Sequence, residues 1–305
     1  MPPKPKTAIT GAKVAIFWDP EGFELDSLGS KEILAMTDGD TPTISLNVRM
    51  LSVDTPEVHY PGTTNPVRHD IPLKQLGEWL MQDKAPVDAG LAASLIAKLI
   101  TGKAGTLQKT QGDAATAMFR KLVDERLALP NGRKRSLMLR AANQPFDQYG
   151  RLLAYMAPEY SAEEMAQLKP RERATFNLLL MESGWGATFV IYPSLPKYAD
   201  LVLVQELAKE AVEQKRGAWA DPLSLTGYEF RMCVRLYDTV SQLVAGKKLS
   251  RAERNGWIDR YCADLTTREI FPPQLYYRVP PYNRLFIWPA DVNEAVARLN
   301  LTPGD

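Results

Sequence analysis

The sequence has few residues of the kinds that build disulfide frameworks or histidine metal sites, with two cysteines and two histidines in 305 residues. Cys233 and Cys262 are not spaced as a metal-binding pair. A disulfide between them is one alternative, but buried free thiols are the favoured interpretation. The histidines are His59 and His69, and His59 is interpreted as a solvent-exposed loop histidine rather than a catalytic one.

Long apolar runs are also missing. No stretch approaches the length of a membrane span, and the N-terminal segment has no apolar run of the kind that a signal peptide needs. We therefore expect no membrane partner and a cytoplasmic location, or secretion if a leader has been removed. The oligomeric state is left open.

The charges nearly cancel, because 37 Lys and Arg residues face 36 Asp and Glu residues, for a formal net charge of +1. This balance excludes a global basic footprint, so any affinity for nucleic acid must come from a local groove. Hydrophobic residues make up 45% of the chain, which is ordinary for a globular protein with a buried core. No internal repeat was found.

Residues 38–57, DGDTPTISLNVRMLSVDTPE, hold four carboxylates and one arginine. Residues 43–48 alternate polar with apolar, which predicts a half-buried strand with Arg49 and Asp54 beyond its end. Carboxylates that lie close together repel one another unless their charge is neutralised. A hard divalent cation, which binds oxygen ligands, neutralises it well. The pattern thus indicates a metal site at Asp40 and Asp54. The alternative is a hairpin turn at DGDT and a helix cap at DTPE.

Three motifs carry a resemblance: DGDT, then an arginine five residues before the aspartate of DTPE, then DQYGRLLAY at 147–155. In this order they resemble the staphylococcal nuclease family. A weaker match runs from Asn177 to Tyr192 and on to the KRGAW of 215–219. The resemblance covers roughly residues 31–221, although the stretch between Asp40 and Arg49 is shorter than the family's.

The resemblance implies an α+β fold, an OB-fold five-stranded β-barrel packed with helices, with a helical insertion and a C-terminal extension. We expect an N-terminal extension at 1–30, the nuclease-like domain at 31–221 with an insertion at about 62–110, and a C-terminal accessory region at 222–305. The insertion is expected to pack on the barrel, with a lid over the substrate groove as the alternative. Strands are expected at 13–18, 31–36, 43–48, 137–139 and 187–192, and helices around Trp79, at Leu91–Leu99, 113–127 capped by Asp113, 171–182, 197–216, 251–258, and from Asp291 with Glu294 in a capping box.

For the metal, the resemblance implies Ca²⁺ held by Asp40, Asp54 and the carbonyl of Thr55. Calcium accepts six to eight oxygens in flexible geometry, including main-chain carbonyls. The remaining ligands would be waters and a phosphate oxygen.

For catalysis, the resemblance implies Glu57 as the group that orients or deprotonates water. Arg49 and Arg151 would clamp the phosphate, which two guanidinium forks do better than lysine. Tyr149 and Tyr192 would contact substrate, the first at a neighbouring phosphate and the second by base stacking.

The implied function is a calcium-dependent nuclease that hydrolyses DNA and RNA, prefers single strands and leaves 3′-phosphate ends. Its main alternative is a catalytically silent OB-fold module that binds nucleic acid or protein. A scaffold built by the C-terminal region is a third interpretation. The basic triplet at 133–135 is interpreted as solvent-exposed, with phosphate contact as the alternative. The aromatic strip of the C-terminal region is interpreted as packed on the barrel, with nucleic-acid contact as the alternative.

Overall fold

The computed structural model describes residues 30–304. Within this range the chain mixes helices and short strands, so the α+β class is confirmed. The strands are β1 Ile33–Met36, β2 Pro42–Ile44, β3 Val48–Met50, β4 Ser52–Asp54, β5 Leu137–Phe146, β6 Leu152–Pro158, β7 Ala187–Ile191, β8 Tyr261–Asp264, β9 Glu269–Phe271, β10 Arg284–Ile287 and β11 Thr302–Pro303. The helices are α1 Asp70–Met81, α2 Ala89–Leu99, α3 Ala104–Leu127, α4 Ala162–Gln167, α5 Phe176–Glu182, α6 Tyr198–Glu213, α7 Gly227–Val244, α8 Arg251–Asn255 and α9 Val292–Leu299. The strand predicted at 13–18 lies outside the described residues.

The strands form three sheets, in the orders β1-β2, β3-β6-β5 and β11-β9-β8-β10-β7-β4. A closed barrel is not shown, because none of the sheets within residues 30–304 closes on itself. The break falls at Ser52, whose φ of 61° lies in the left-handed region. There the chain leaves β3, which pairs with β6 in parallel, and enters β4, which pairs with β7 in the other sheet.

The prediction of one half-buried strand over residues 43–48 is wrong. β2 ends at Ile44 and β3 begins at Val48, so the alternating segment is split. Within the described residues β2 pairs only with β1, and every residue of both strands is exposed. This small hairpin therefore carries the DGDT turn away from the buried sheets.

The predicted helices are present, but several begin or end at residues other than those predicted. α3 begins nine residues before Asp113, so this residue pairs with Lys109 inside the helix and does not cap it. α5 begins only at Phe176, where the Thr175 hydroxyl accepts from the amide of Leu178. The capping box predicted at Asp291 is not formed, since that side chain makes no cap hydrogen bond.

The insertion packs mainly on the C-terminal region rather than on a barrel. Leu73 and Leu76 of α1, with Leu91 of α2, share one buried core with Phe230 of α7 and Trp257. Cys233 and Cys262 lie in the same core as free buried thiols, as expected.

The largest sheet joins strands from both sides of residue 221. β7 lies between β4 on one side and β10 on the other, with Leu285 level with Val190. Over the described part of the chain, no helix is both long and apolar enough to cross a membrane.

Helix α3 can lie directly against the segment that contains Pro56 and Glu57 because Gly112 has no side chain. A Cβ at this position would lie 2.9 Å from the carbonyl carbon and oxygen of Glu57 and 3.0 Å from the carbonyl oxygen of Pro56. These are main-chain atoms, so the contact cannot be relieved by turning a side chain. The close packing of α3 on the Glu57 segment therefore requires glycine here.

We expect Gly112→Ala to lower stability, although replacing glycine by alanine inside a helix usually gains about 0.5–1 kcal/mol. The added methyl group must push α3 away from Glu57. The midpoint of denaturant unfolding measures the effect, and Ala117→Gly on the exposed face of α3 measures the helix-propensity contribution alone. A raised midpoint in Gly112→Ala would contradict the packing described.

Candidate active site

The bend between β3 and β4 brings the first arginine motif onto the second aspartate. Arg49 Nη2 donates to Asp54 Oδ1 at 3.1 Å. Asn177 stabilises the bend, because its buried side-chain amide donates to the carbonyl of Leu51 at 2.9 Å and its oxygen accepts from the amide of Met156 at 3.0 Å. The hydroxyls of Ser52 and Tyr155 lie 2.6 Å apart. The local fold thus holds Arg49 and Asp54 face to face.

Asp54 is held by two guanidinium groups. Its side chain is 1% exposed, and Arg231 Nη2 lies 3.1 Å from Oδ1 and 3.2 Å from Oδ2. Burial alone would raise the pKa of Asp54, but the charges of Arg231 and Arg49 outweigh it and hold the pKa below the usual range. These ion pairs therefore stabilise the folded protein at pH values above the ordinary pKa of an aspartate. Their contribution is lost as the pH falls through the lowered pKa of Asp54.

Glu57 shares the same arginine. Arg231 Nη1 donates to Glu57 Oε1, so one fork joins both carboxylates. Burial, together with the charge of Asp54, raises the pKa of Glu57 above its ordinary value in spite of Arg231. Oriented so that both ends of its amide are satisfied, Gln108 accepts from the amide of Glu57 at 2.7 Å. We call Arg49, Asp54, Glu57 and Arg231 the arginine–carboxylate centre.

Arg231 comes from α7, whose first turn lies against the acidic segment. A Cβ on Gly227 would come within 2.4 Å of the Thr55 carbonyl oxygen and 2.6 Å of Asp54 Oδ2. The partial positive charge of a helix N-terminus stabilises a neighbouring carboxylate. α7 itself is fixed by a capping box between Thr226 and Glu229. The C-terminal region therefore builds one wall of the centre.

The second arginine motif forms its own turn at the start of β6. Arg151 Nε donates to Asp147 Oδ2 at 2.7 Å, and its guanidinium lies 5.2 Å from the ring centre of Tyr149. Tyr149 is 70% exposed. Arg49 is level with Leu153 in the parallel β3-β6 pair. Arg151 directly precedes β6, two residues before that level.

Two expected site residues lie apart from the centre. Asp40 is exposed in the β1-β2 turn, where it accepts from the Thr41 hydroxyl at 3.1 Å. Tyr192 is 4% exposed and packs in a core with Leu285 and Ile287. Its ring is therefore not presented to solvent for base stacking.

The arrangement does not fit a calcium ion held by Asp40, Asp54 and Thr55. Among residues 30–304, no three acidic, histidine or cysteine side chains converge as metal ligands. Both oxygens of Asp54 accept from Arg231, and the Thr55 carbonyl lies against Gly227. A guanidinium group stands where the resemblance predicts a cation.

Residues 47–221 match the family model described as staphylococcal nuclease homologue. This chain belongs to that family. The match spans more than half of the 305 residues and includes Arg49, Asp54, Glu57 and Arg151, but neither Asp40 nor Arg231. No curated protein matches the chain.

Arg231 is the member of the centre that sequence reasoning missed. The signal for its helix is present, because Thr226 and Glu229 form a capping box ahead of an apolar run. No sequence signal, however, places that helix against Asp54, since 177 residues separate the two side chains. The staphylococcal nuclease family match ends before this arginine.

We expect Arg231→Gln to lower the free energy of unfolding by about 3–5 kcal/mol, because it leaves a buried carboxylate without one of its two cations. Arg231→Lys should give a smaller loss, since an ammonium keeps the charge but cannot fork between two carboxylates. Denaturant unfolding measures both. Arg254→Gln on the exposed α8 is the matched control, and an equal, small effect in Arg231→Gln and this control would contradict the assignment.

Proposed function

We propose that this member of the staphylococcal nuclease family is a nuclease that hydrolyses phosphodiester bonds of DNA and RNA, with a preference for single strands. The observation that supports the proposal is the arginine–carboxylate centre, in which Arg49 donates to the buried Asp54 and Arg231 joins Asp54 to Glu57. Cleavage would leave a 3′-phosphate on one product. The substrate class and the ends come from the family resemblance.

In this proposal Arg49 and Arg151 bind the phosphate. A guanidinium carries five N–H donors, and Arg49 uses Nη2 for Asp54, so further donors can meet phosphate oxygens. Such donors stabilise the charge that gathers on a pentacoordinate phosphorus. Arg151, 40% exposed in its side chain, would turn from Asp147 toward the same phosphate.

Glu57 is proposed as the general base. It would take a proton from water, the resulting hydroxide would attack phosphorus, and the 5′ oxygen would leave and take a proton from solvent. A base works best when its pKa lies near the working pH, and burial moves the pKa of Glu57 in that direction. For this step the carboxylate must exchange its contact with Arg231 for a water.

Calcium is the cofactor that the family resemblance implies. In the described residues Asp40, Asp54 and the Thr55 carbonyl do not come together as its ligands, and the proposed mechanism uses no metal. Calcium dependence is instead a variable of the assay below: a requirement for calcium would mean that Arg231 moves away from Asp54 and Glu57 before turnover.

A second candidate function is a module that binds nucleic acid without cleaving it. The specific observation in its favour is the contact of Arg231 with both carboxylates, which neutralises the groups that would activate water. Binding without turnover is the outcome that would favour this candidate.

We expect the protein to cleave a 5′-labelled single-stranded oligonucleotide, and Glu57→Gln to lower the rate by about 10²–10⁴-fold, the usual contribution of a general base. Oligonucleotide binding should persist in the variant. Glu206→Gln, at an exposed position of α6, is the matched control.

The cleavage assay is run with calcium, with magnesium and with a chelator. Retention of full cleavage by Glu57→Gln would contradict the assigned base. Tight binding by the unaltered protein with no product under any of the three conditions would favour the silent module.

The pH dependence gives an independent test of Glu57. Because its pKa is raised, the carboxyl stays protonated to a higher pH than an ordinary glutamate, and a protonated carboxyl cannot accept a proton. We expect kcat/KM to fall on the acid side with a midpoint above about 4.3, the value for an exposed glutamate. An acid limb at or below that value would contradict the role, with oligonucleotide binding over the same pH range as the control.

A further inference from the structure

Two arginines of the C-terminal region lie beside the arginine–carboxylate centre without an acceptor. Arg235 follows Arg231 by one helical turn on α7, and Arg260 precedes β8. The Nε atoms of both are buried and lack a hydrogen-bond partner. Across residues 30–304, neither guanidinium donates a hydrogen bond or forms an ion pair. An arginine that is partly buried without an acceptor is costly unless a ligand supplies one.

Aromatic rings fix the position of Arg260. Its guanidinium carbon lies 4.0 Å from the ring centre of Trp288 and 5.4 Å from that of Phe189. Arg231 contacts the same Phe189 ring at 5.9 Å. The shared ring therefore brings Arg260 next to the centre.

The guanidinium groups are near enough to repel one another. Burial first, and then the charges of Arg231 and Arg235, lower the pKa of Arg260. Ring stacking satisfies the face of a guanidinium but leaves the N–H groups in its plane without acceptors. A bound anion would reduce the repulsion between these guanidinium groups and would accept hydrogen bonds from their free N–H groups.

The neighbouring acidic and hydroxyl groups do not supply the missing acceptor. Asp259 raises the pKa of Arg260 through its charge, but its Oδ1 is itself buried without a partner. The hydroxyl of Tyr228 is also unpaired. Glu57 is joined to Arg231. Two free cationic forks thus remain at the edge of the centre.

We propose that Arg235 and Arg260 form a phosphate-binding site for the nucleic-acid backbone, next to the phosphate held at the arginine–carboxylate centre. The inference rests on the proposed function for the nature of its ligand. Guanidinium forks match phosphate oxygens bidentately. Trp288, 38% exposed, adds an aromatic surface beside Arg260, which favours a polynucleotide over free phosphate because bases stack on such rings.

The test is the salt dependence of binding. A fluorescent single-stranded oligonucleotide is titrated with the full-length protein in a chelator, at several salt concentrations, and the probe is checked for cleavage on a gel. We expect R235Q/R260Q to weaken binding about tenfold or more. The slope of log K against log salt should fall by about 0.7, which corresponds to one phosphate contact on a single strand.

R251Q/R254Q is the matched control, because it removes two arginines from the exposed α8 of the same region. Its affinity should fall far less. R235Q/R260Q also loses the contacts of Arg260 with the rings of Trp288 and Phe189. Its denaturant unfolding is therefore measured beside that of the control, and binding is compared where both variants are folded. The single variants R235K and R260K, which keep the charge and lose the fork, provide a second series in which affinity should fall by a smaller factor.

Unchanged affinity and slope in R235Q/R260Q would overturn the site, as would a loss equal to that of R251Q/R254Q or failure of the unaltered protein to bind the oligonucleotide. Thermal stabilisation by inorganic phosphate that depends on both arginines, with oligonucleotide affinity unchanged, would also overturn the backbone assignment. Arginine-dependent binding without cleavage would leave this site standing and remove the nuclease proposal, so the two failures are distinguishable.

Discussion

The interaction on which the centre depends is the pairing of one buried carboxylate with two guanidinium groups from distant parts of the chain. Asp54 is nearly inaccessible to water, and a lone carboxylate in such a place would become protonated. Arg49 reaches it through the left-handed bend at Ser52, and Arg231 reaches it from α7. The ionisation of Asp54 therefore depends on both the geometry of the bend and the position of α7.

The same contact explains why the C-terminal region is part of the site. α7 needs to lie close enough for Arg231 to reach two carboxylates, and Gly227 permits that approach by leaving room for the Thr55 carbonyl. The insertion stabilises α7 from the other side through the core that contains Leu73 and Phe230. Residues that the family match does not include thus fix the electrostatics of residues that it does.

The sequence predicts the parts of this structure that depend on local patterns. The leucine spacing of α2 and the buried thiols follow from periodicity and composition. What failed depends on contacts between distant segments. Alternation at 43–48 could not reveal that, among the described strands, β2 pairs only with β1. Nothing in the sequence near Asp40 indicates that its turn does not join Asp54 and Glu57 in a metal site. The residues of the predicted cation site are all present in the sequence, yet an arginine 177 residues further on binds the carboxylate of Asp54.

The pairing of β7 with β10 has a consequence for how this protein can be divided. The family resemblance ends at residue 221, but the main-chain hydrogen bonds of the sheet continue across that point, through Val190 and Leu285. A protein fragment that ends at residue 221 would leave β7 without its neighbour β10 and the buried Asp54 without Arg231.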